Sequence, residues 1–181
     1  MATRAARQLM LFRHAKSAWP DVADHERPLA RRGRRDAPVA GRWLRAAGLI
    51  PDRVVCSTAQ RARQTWQLAA AELDSSPAVS FDRRVYGTSA GELLALARQT
   101  APGTRRLLIV GHDPAMQELT LALASGRPSD GGALDRVRAK FPTAAIAILE
   151  ITGTWQELGP GQARLTAFVI PRDLRPGTAG P

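Results

Sequence analysis

The sequence predicts an α/β sandwich of three layers, with a mostly parallel central sheet and helices on both of its faces. Short apolar runs alternate with longer segments of helical periodicity, which is typical of parallel strands joined by helices. The last third of the chain has two β-rich segments, 143–151 and 164–170, and these favour an antiparallel edge. The length of 181 residues suits a single domain.

The first predicted strand and helix lie between residues 8 and 47. Residues 8–13 (QLMLFR) form a short apolar run typical of a buried strand, and a polar loop follows. From 29 to 47 apolar residues recur with helical spacing, and Gly48 supplies a stop signal. Pro38 must kink this helix or delay its start, because proline lacks the amide hydrogen of the helical ladder.

The middle of the chain repeats the strand–helix pattern. Ser89 and Glu92 have the spacing of a capping box, which predicts a helix start and gives both residues a local role. The run at 105–110 (RRLLIV) is the clearest strand, and Gly-His-Asp-Pro follows it directly. The predicted elements here are strands at 53–57, 78–81 and 105–110 and helices at 59–73, at 89–99 and up to Ala124.

Two segments show no regular pattern. Residues 126–142 are rich in Gly and Arg and predict a long loop over a site. Residues 171–181 predict a flexible C-terminal tail, so the expected domain spans residues 1–170.

Composition narrows the possible functions. The formal charge is +10, but aromatic residues make up only 5% and the basic residues are scattered, apart from a cluster at 31–35. That distribution argues against a nucleic-acid partner. The single cysteine, Cys56, excludes an intramolecular disulfide and a Cys-rich zinc site. No apolar run is long enough for a membrane span or a signal-peptide core, so we expect no membrane partner and a cytoplasmic location.

Polar side chains follow three of the predicted strands. Arg13 and His14 follow the first, Ser57 to Arg61 follow the second, and His112 follows the strand at 105–110. Each residue alone would suit a structural or surface role. Ligands of open α/β sheets bind beyond the carboxyl ends of the strands, so we expect these groups to converge.

Two imidazoles and two guanidiniums at one sheet edge predict a phosphate site. Arginine matches phosphoryl oxygens with two hydrogen bonds, and helix N-termini add backbone donors. A neutral imidazole can attack phosphorus and form a covalent intermediate. Nearby arginines favour that neutral form, because a like charge disfavours the imidazolium ion.

Three motifs resemble the histidine phosphatase superfamily, whose fold is phosphoglycerate-mutase-like. They are Arg-His-Ala at 13–15, Ser-x-x-x-Arg-Ala-x-x-Thr at 57–65 and Gly-His-Asp-Pro at 111–114. The string Arg-His-Ala-Lys-Ser-Ala-Trp at 13–19 is most similar to the SixA-type phosphohistidine phosphatase branch. The resemblance spans about residues 9–151.

The resemblance implies a role for each matching residue. His14 matches the nucleophile, and the other members of the phosphate pocket match Arg13, Arg61 and His112. Lys16 and Ser17 are further candidates for donors to the substrate, although Lys16 is equally compatible with a solvated surface position. Ala15 stands where the family usually has glycine, and its methyl group removes the freedom to adopt a positive φ.

The implied activity is hydrolysis of phosphohistidine in a protein, with no cofactor and no metal. A small-molecule phosphomonoesterase of the same superfamily and a catalytically silent phosphate-binding module stay open as alternatives. The partner is therefore a phosphorylated protein or a small phosphorylated substrate, and the oligomeric state is open.

The proton donor is also open. Larger members of the family place a Glu or Asp after the third strand, and no residue here matches that position convincingly. Glu92, Asp113 and Glu118 are weak candidates. Capping alone explains Glu92.

Overall fold

The fold is built around a six-stranded mixed sheet. A computed structural model describes residues 6–126 and 129–174. The strands are β1 (Arg7–Arg13), β2 (Arg53–Ser57), β3 (Ala78–Asp82), β4 (Arg106–Gly111), β5 (Ile146–Ile151) and β6 (Ala163–Val169), and their order in the sheet is β3-β2-β4-β1-β5-β6. β1 to β4 pair in parallel with one another, whereas β5 pairs antiparallel with both β1 and β6, so the antiparallel edge is where the sequence predicts it.

Helices cover both faces of this sheet, which confirms the predicted three-layer α/β fold. Side chains of β1 alternate between the two faces, so that Leu9 and Leu11 join one buried cluster while Met10 and Phe12 join the other. The helices are α1 (Arg31–Ala46), α2 (Gln60–Ala70), α3 (Ala90–Arg98), α4 (Ala115–Ala124) and α5 (Gly131–Ala139). α1 and α2 pack on the Met10 face, and α3, α4 and α5 pack on the Leu9 face.

Two expectations need correction. The predicted loop at 126–142 contains α5, which Asp130 caps by accepting a hydrogen bond from the Ala133 amide. Adjacent glycines at the start of this helix hide its periodicity in the sequence. α1 starts at Arg31 and continues through Pro38 to Ala46, so Pro38 does not delay its start, and the kink at Pro38 stays a prediction.

The sequence predicts that the domain ends at residue 170 and that a tail follows. The expected tail at 171–181 begins with a short 3-10 turn, Pro171–Leu174, and residues 175–181 lie outside the described part of the chain. Within that described part, no helix is both long and apolar enough to cross a membrane.

Strand register brings the predicted site residues to one edge. Arg13 at the end of β1 lies beside Gly111 at the end of β4, so His14 and His112 follow at the same level. On the other side of β4, Cys56 lies beside Val110, and this pairing places Ser57 at the same edge. The carboxyl ends of β1, β2 and β4 therefore meet, as parallel pairing requires.

Gly33 allows α1 to approach the segment that follows His14. A Cβ atom at Gly33 would lie 2.2 Å from the Lys16 carbonyl oxygen, a backbone atom that cannot rotate away. We expect Gly33→Ala to lower the free energy of unfolding by about 1–3 kcal/mol, as overpacking does. Gly131→Ala is the matched control, because a Cβ atom at that helical glycine meets no atom within 4 Å. Equal unfolding midpoints in urea for the two variants would contradict this explanation.

Candidate active site

A pocket of about 410 Å³ opens at the carboxyl edge of the sheet. It brings together all the residues that the sequence singled out for phosphate binding. Its lining contains four cationic side chains and two carboxylates, which leaves a positive balance suited to a phosphoryl group. The lining residues are Arg13, His14, Lys16, Ser17, Trp19, Asp24, Arg27, Arg61, Tyr86, Gly87, His112, Asp113 and Thr143.

His14 lies at the floor of this pocket and is 8% exposed. Its amide donates to the Gly111 carbonyl (2.9 Å), and its carbonyl accepts from the Ala144 amide (3.1 Å). Nδ1 lies 2.8 Å from the Ala15 carbonyl oxygen. A carbonyl oxygen can only accept, so Nδ1 carries the hydrogen and Nε2 carries the lone pair.

Burial is the main reason that the pKa of His14 falls to about 3, and His112, Arg61 and Arg13 lower it further. His14 is therefore neutral at physiological pH. A neutral imidazole with its lone pair on Nε2 is the form that attacks phosphorus.

His112 is the second imidazole of the pocket, and its ring centroid lies 5.0 Å from that of His14. Its Nε2 lies 2.8 Å from the hydroxyl oxygen of Ser57, which is fully buried. Burial lowers the pKa of His112 to about 4, and Arg61 adds to this effect. Both imidazoles are thus neutral near pH 7, so the guanidiniums and Lys16 supply the positive charge.

Arg61 is held by a residue that the sequence analysis missed, Asp24. Arg61 donates to the Asp24 carbonyl (2.6 Å) and to its carboxylate (3.0 Å). The same carboxylate accepts from Arg27 (2.9 Å) and from the Tyr86 hydroxyl (2.8 Å). These hydrogen bonds, the one from Arg27 foremost, hold the pKa of Asp24 well below its usual range. Asp24 is therefore ionised and orients two arginines at the pocket.

Arg13 is held by contacts with two other segments of the chain. It donates to the Phe141 carbonyl (2.5 Å) and forms an ion pair with Asp113 (3.2 Å). Its Nε is buried with no hydrogen-bond partner among the described residues. Burial raises the pKa of the Asp113 carboxyl above its usual range, and Arg13 opposes that rise.

Thr65 links the helix that carries Arg61 to the segment that carries His14. Its hydroxyl donates to the Arg61 carbonyl (2.6 Å) and accepts from the Ala15 amide (2.9 Å). Ala15 is fully buried and does not adopt a positive φ. The methyl group at the family's usual glycine position therefore causes no backbone strain and packs in the core.

The remaining predicted donors occupy different environments. Lys16 is exposed at the pocket, where its ammonium group is accessible to a substrate. Ser17 is buried, and its hydroxyl accepts from Arg27 (2.6 Å), so it positions that guanidinium.

The three candidate acids differ in position. Glu92 is exposed outside the pocket lining and completes the capping box, because its carboxylate accepts from the Ser89 amide (2.8 Å). Hydrogen bonds from Ser89 lower the pKa of Glu92. Glu118 is exposed and does not line the pocket either. Asp113 lines the pocket but is paired with Arg13.

Sequence reasoning missed Asp24, Arg27 and Tyr86. Tyr86 follows β3, so the same search for polar side chains after each predicted strand would have found it. Asp24 and Arg27 lie in the polar loop before α1. Only the fold reveals that Asp24 contacts Arg61, a residue 37 positions away in the chain, and that Arg27 shares the Asp24 carboxylate.

The depressed pKa of His14 predicts how stability depends on pH. Below about pH 6.5 the unfolded chain protonates this histidine, whereas the native protein keeps it neutral down to about pH 3. The unfolded state then binds more protons, so stability falls as the pH falls. His14→Ala removes this linkage. We expect denaturant titrations between pH 6 and 4 to show a shallower loss for the variant, by roughly 1.4 kcal/mol per pH unit. Equal slopes of unfolding free energy against pH in the wild type and in His14→Ala would contradict this linkage.

Comparison with known proteins places the chain in a family. The profile of the histidine phosphatase superfamily (branch 1) matches residues 9–101. An uncharacterized protein of Mycobacterium tuberculosis is 45% identical over 162 residues, covering 89% of this chain and 100% of that protein.

Solved structures support the same assignment. The SixA protein of Nakamurella multipartitia shares 35% identity and a TM-score of 0.81, covering 91% of this chain and 96% of that one. The SixA protein of Agrobacterium tumefaciens shares 25% identity and a TM-score of 0.76, covering 90% and 97%. These matches confirm the resemblance carried by the three motifs. The chain belongs to the histidine phosphatase superfamily, branch 1, and to its SixA-like side.

Proposed function

We propose that this protein is a phosphatase that hydrolyses phosphohistidine in a protein substrate through a covalent intermediate on His14. Membership of the superfamily supports phosphatase activity in general. The observation that carries the proposal is the buried, neutral imidazole of His14, whose Nδ1 donates to Ala15 and whose Nε2 therefore holds the lone pair.

The first step is attack of His14 Nε2 on phosphorus. The new N–P bond forms as the bond to the leaving group breaks, and the leaving group departs with the electron pair of that bond. The imidazole of phosphohistidine takes its proton from solvent before this step and therefore leaves as neutral imidazole. Arg13 and Arg61 bind the phosphoryl oxygens, with His112 and Lys16 as further donors when their hydrogens are suitably placed. Water then attacks phosphorus and loses a proton to solvent. The N–P bond breaks with its electron pair returning to Nε2, which releases inorganic phosphate and restores neutral His14.

The carboxylates of the pocket favour a leaving group that needs no strong acid. Asp24 is ionised and accepts hydrogen bonds from Arg27, Arg61 and Tyr86. Asp113 is paired with Arg13. An alkoxide leaves poorly without a proton donor, whereas the nitrogen of a phosphoramidate can be protonated before its bond breaks. The SixA protein of Nakamurella multipartitia carries the name of a phosphohistidine phosphatase, which agrees with this choice.

Turnover of a phosphohistidine peptide in excess EDTA tests the proposal. Arginines and neutral imidazoles do here what Mg²⁺ does at other phosphoryl-transfer sites, so we expect undiminished kcat and KM. No three potential metal ligands cluster within residues 6–126 and 129–174. A loss of turnover that a divalent cation restores would contradict the metal-free route. Failure to hydrolyse the peptide, with good turnover of other phosphates, would contradict the substrate.

A further inference from the structure

The opening of the pocket carries an unusually exposed tryptophan. Trp19 is 76% exposed, whereas the other large hydrophobic side chains exposed in the described part of the chain reach at most 49%. His14 lines the same pocket and is 8% exposed. His14 therefore lies at the floor and Trp19 at the mouth.

Arg27 holds this indole in place. Its guanidinium lies over the Trp19 ring, 3.2 Å from the ring centroid. The guanidinium is itself fixed on three sides, because it donates to the Ala18 carbonyl (3.0 Å), the Asp24 carboxylate (2.9 Å) and the Ser17 hydroxyl (2.6 Å). A planar group supported in this way is preorganised to receive a ligand.

Phosphoryl transfer determines which part of the substrate reaches Trp19. The attacking and leaving atoms lie roughly in line on opposite sides of phosphorus. With His14 attacking from the floor, the leaving group points towards the mouth, where Trp19 lies. The phosphoryl group then contacts the charged side chains of Arg13 and Arg61, and the leaving group lies beside the aromatic ring of Trp19.

We infer that Trp19, supported by Arg27, is the subsite for a planar leaving-group ring, namely the imidazole of the phosphohistidine side chain. This inference rests on the proposed function and assigns Trp19 as a residue that determines substrate specificity. Aromatic rings stack with an offset on an exposed indole face, and the energy of such pairs corresponds to roughly a threefold to tenfold effect on binding.

The test compares two substrates that both contain a P–N bond. Phosphohistidine has a planar ring at the leaving nitrogen, and phosphoramidate has none. Trp19→Ala should lower kcat/KM for phosphohistidine about threefold to tenfold and change that for phosphoramidate by less than about twofold. Trp19→Phe should retain most of the preference. Phe81→Ala is the matched control, because Phe81 is also an exposed aromatic near an arginine but lies outside the pocket.

Equal losses on both substrates would overturn the inference, because they would show that Trp19 only supports Arg27. Unchanged kcat/KM on both would also overturn it. If the wild-type protein does not hydrolyse phosphohistidine, the proposed function is wrong. The planar-ring subsite is then tested with two other substrates, an aryl phosphate, whose leaving group is a ring, and acetyl phosphate, whose leaving group has none. A loss in Trp19→Ala confined to the aryl substrate would then retain the planar-ring subsite, and equal losses or none would reject it.

Discussion

Replacing His14 by alanine should lower kcat/KM on the order of 10³-fold or more for every substrate, with the protein still folded. The loss is large because the two-step route disappears with the nucleophile. Neutral His112 lies 5.0 Å away, measured between ring centroids, and remains in the variant. It does not replace His14, because its Nε2 lies within hydrogen-bond distance of Ser57.

His25→Ala is the matched control for this variant. His25 is the one histidine of the chain besides His14 and His112. It lies outside the pocket lining, and its Nε2 lies 2.9 Å from the Thr58 hydroxyl oxygen. We expect its activity to stay within about threefold of wild type, because among the pocket residues the variant removes only an edge contact with the Tyr86 ring (4.9 Å between centroids) and leaves the hydrogen bonds of the pocket residues in place. Circular dichroism and thermal unfolding check that both variants fold. Residual activity of His14→Ala above about a tenth of wild type would contradict the assignment of the nucleophile.

The second large effect that we expect is a strong dependence of kcat/KM on the quality of the substrate's leaving group. We expect kcat/KM for phosphohistidine or an aryl phosphate to exceed that for phosphoserine or a sugar phosphate by about 10²–10⁴-fold, the contribution of a general acid. A phenolate is stabilised and leaves without a proton, and the phosphoramidate nitrogen is protonated in advance. Steady-state turnover across such a panel measures the ratio directly.

Three variants test whether an acid has been overlooked. Glu92→Gln should change little, because Glu92 completes a helix cap outside the pocket. Glu118→Gln should also change little, because Glu118 is exposed. Asp113→Asn should weaken the hold on Arg13 and lower turnover of all substrates to a similar extent. Efficient hydrolysis of an alkyl phosphate that collapses in one of these variants would identify a general acid and contradict the preference.

The sheet was predictable because its pattern is local. Each parallel strand is a short apolar run with a helical segment after it, and the two β-rich segments near the C-terminus form the antiparallel edge. α5 was not predictable in this way. Its two glycines suggest a loop, and its burial of Ala133 and Val137 depends on packing against α4 and β6.

The candidate site was predictable only in part. The order of the three motifs, and the tendency of ligands to bind beyond the carboxyl ends of parallel strands, indicated four residues that the fold brings into one pocket. They are Arg13, His14, Arg61 and His112. Their catalytic roles stay a prediction. The contacts of Asp24 depend on how a polar loop folds back towards Arg61, and no local spacing encodes that contact. The capping role expected for Glu92 is confirmed, because a capping box depends on four consecutive residues.

Trapping the phosphoryl group tests the central claim most directly. The protein is mixed briefly with an aryl phosphate, quenched in base, digested under alkaline conditions and analysed by mass spectrometry. We predict one phosphate on the peptide that contains His14, stable to base, released by acid and absent in His14→Ala. Phosphate on another residue, or full turnover with no phosphorylated His14 at any quench time, would contradict the covalent phosphohistidine mechanism.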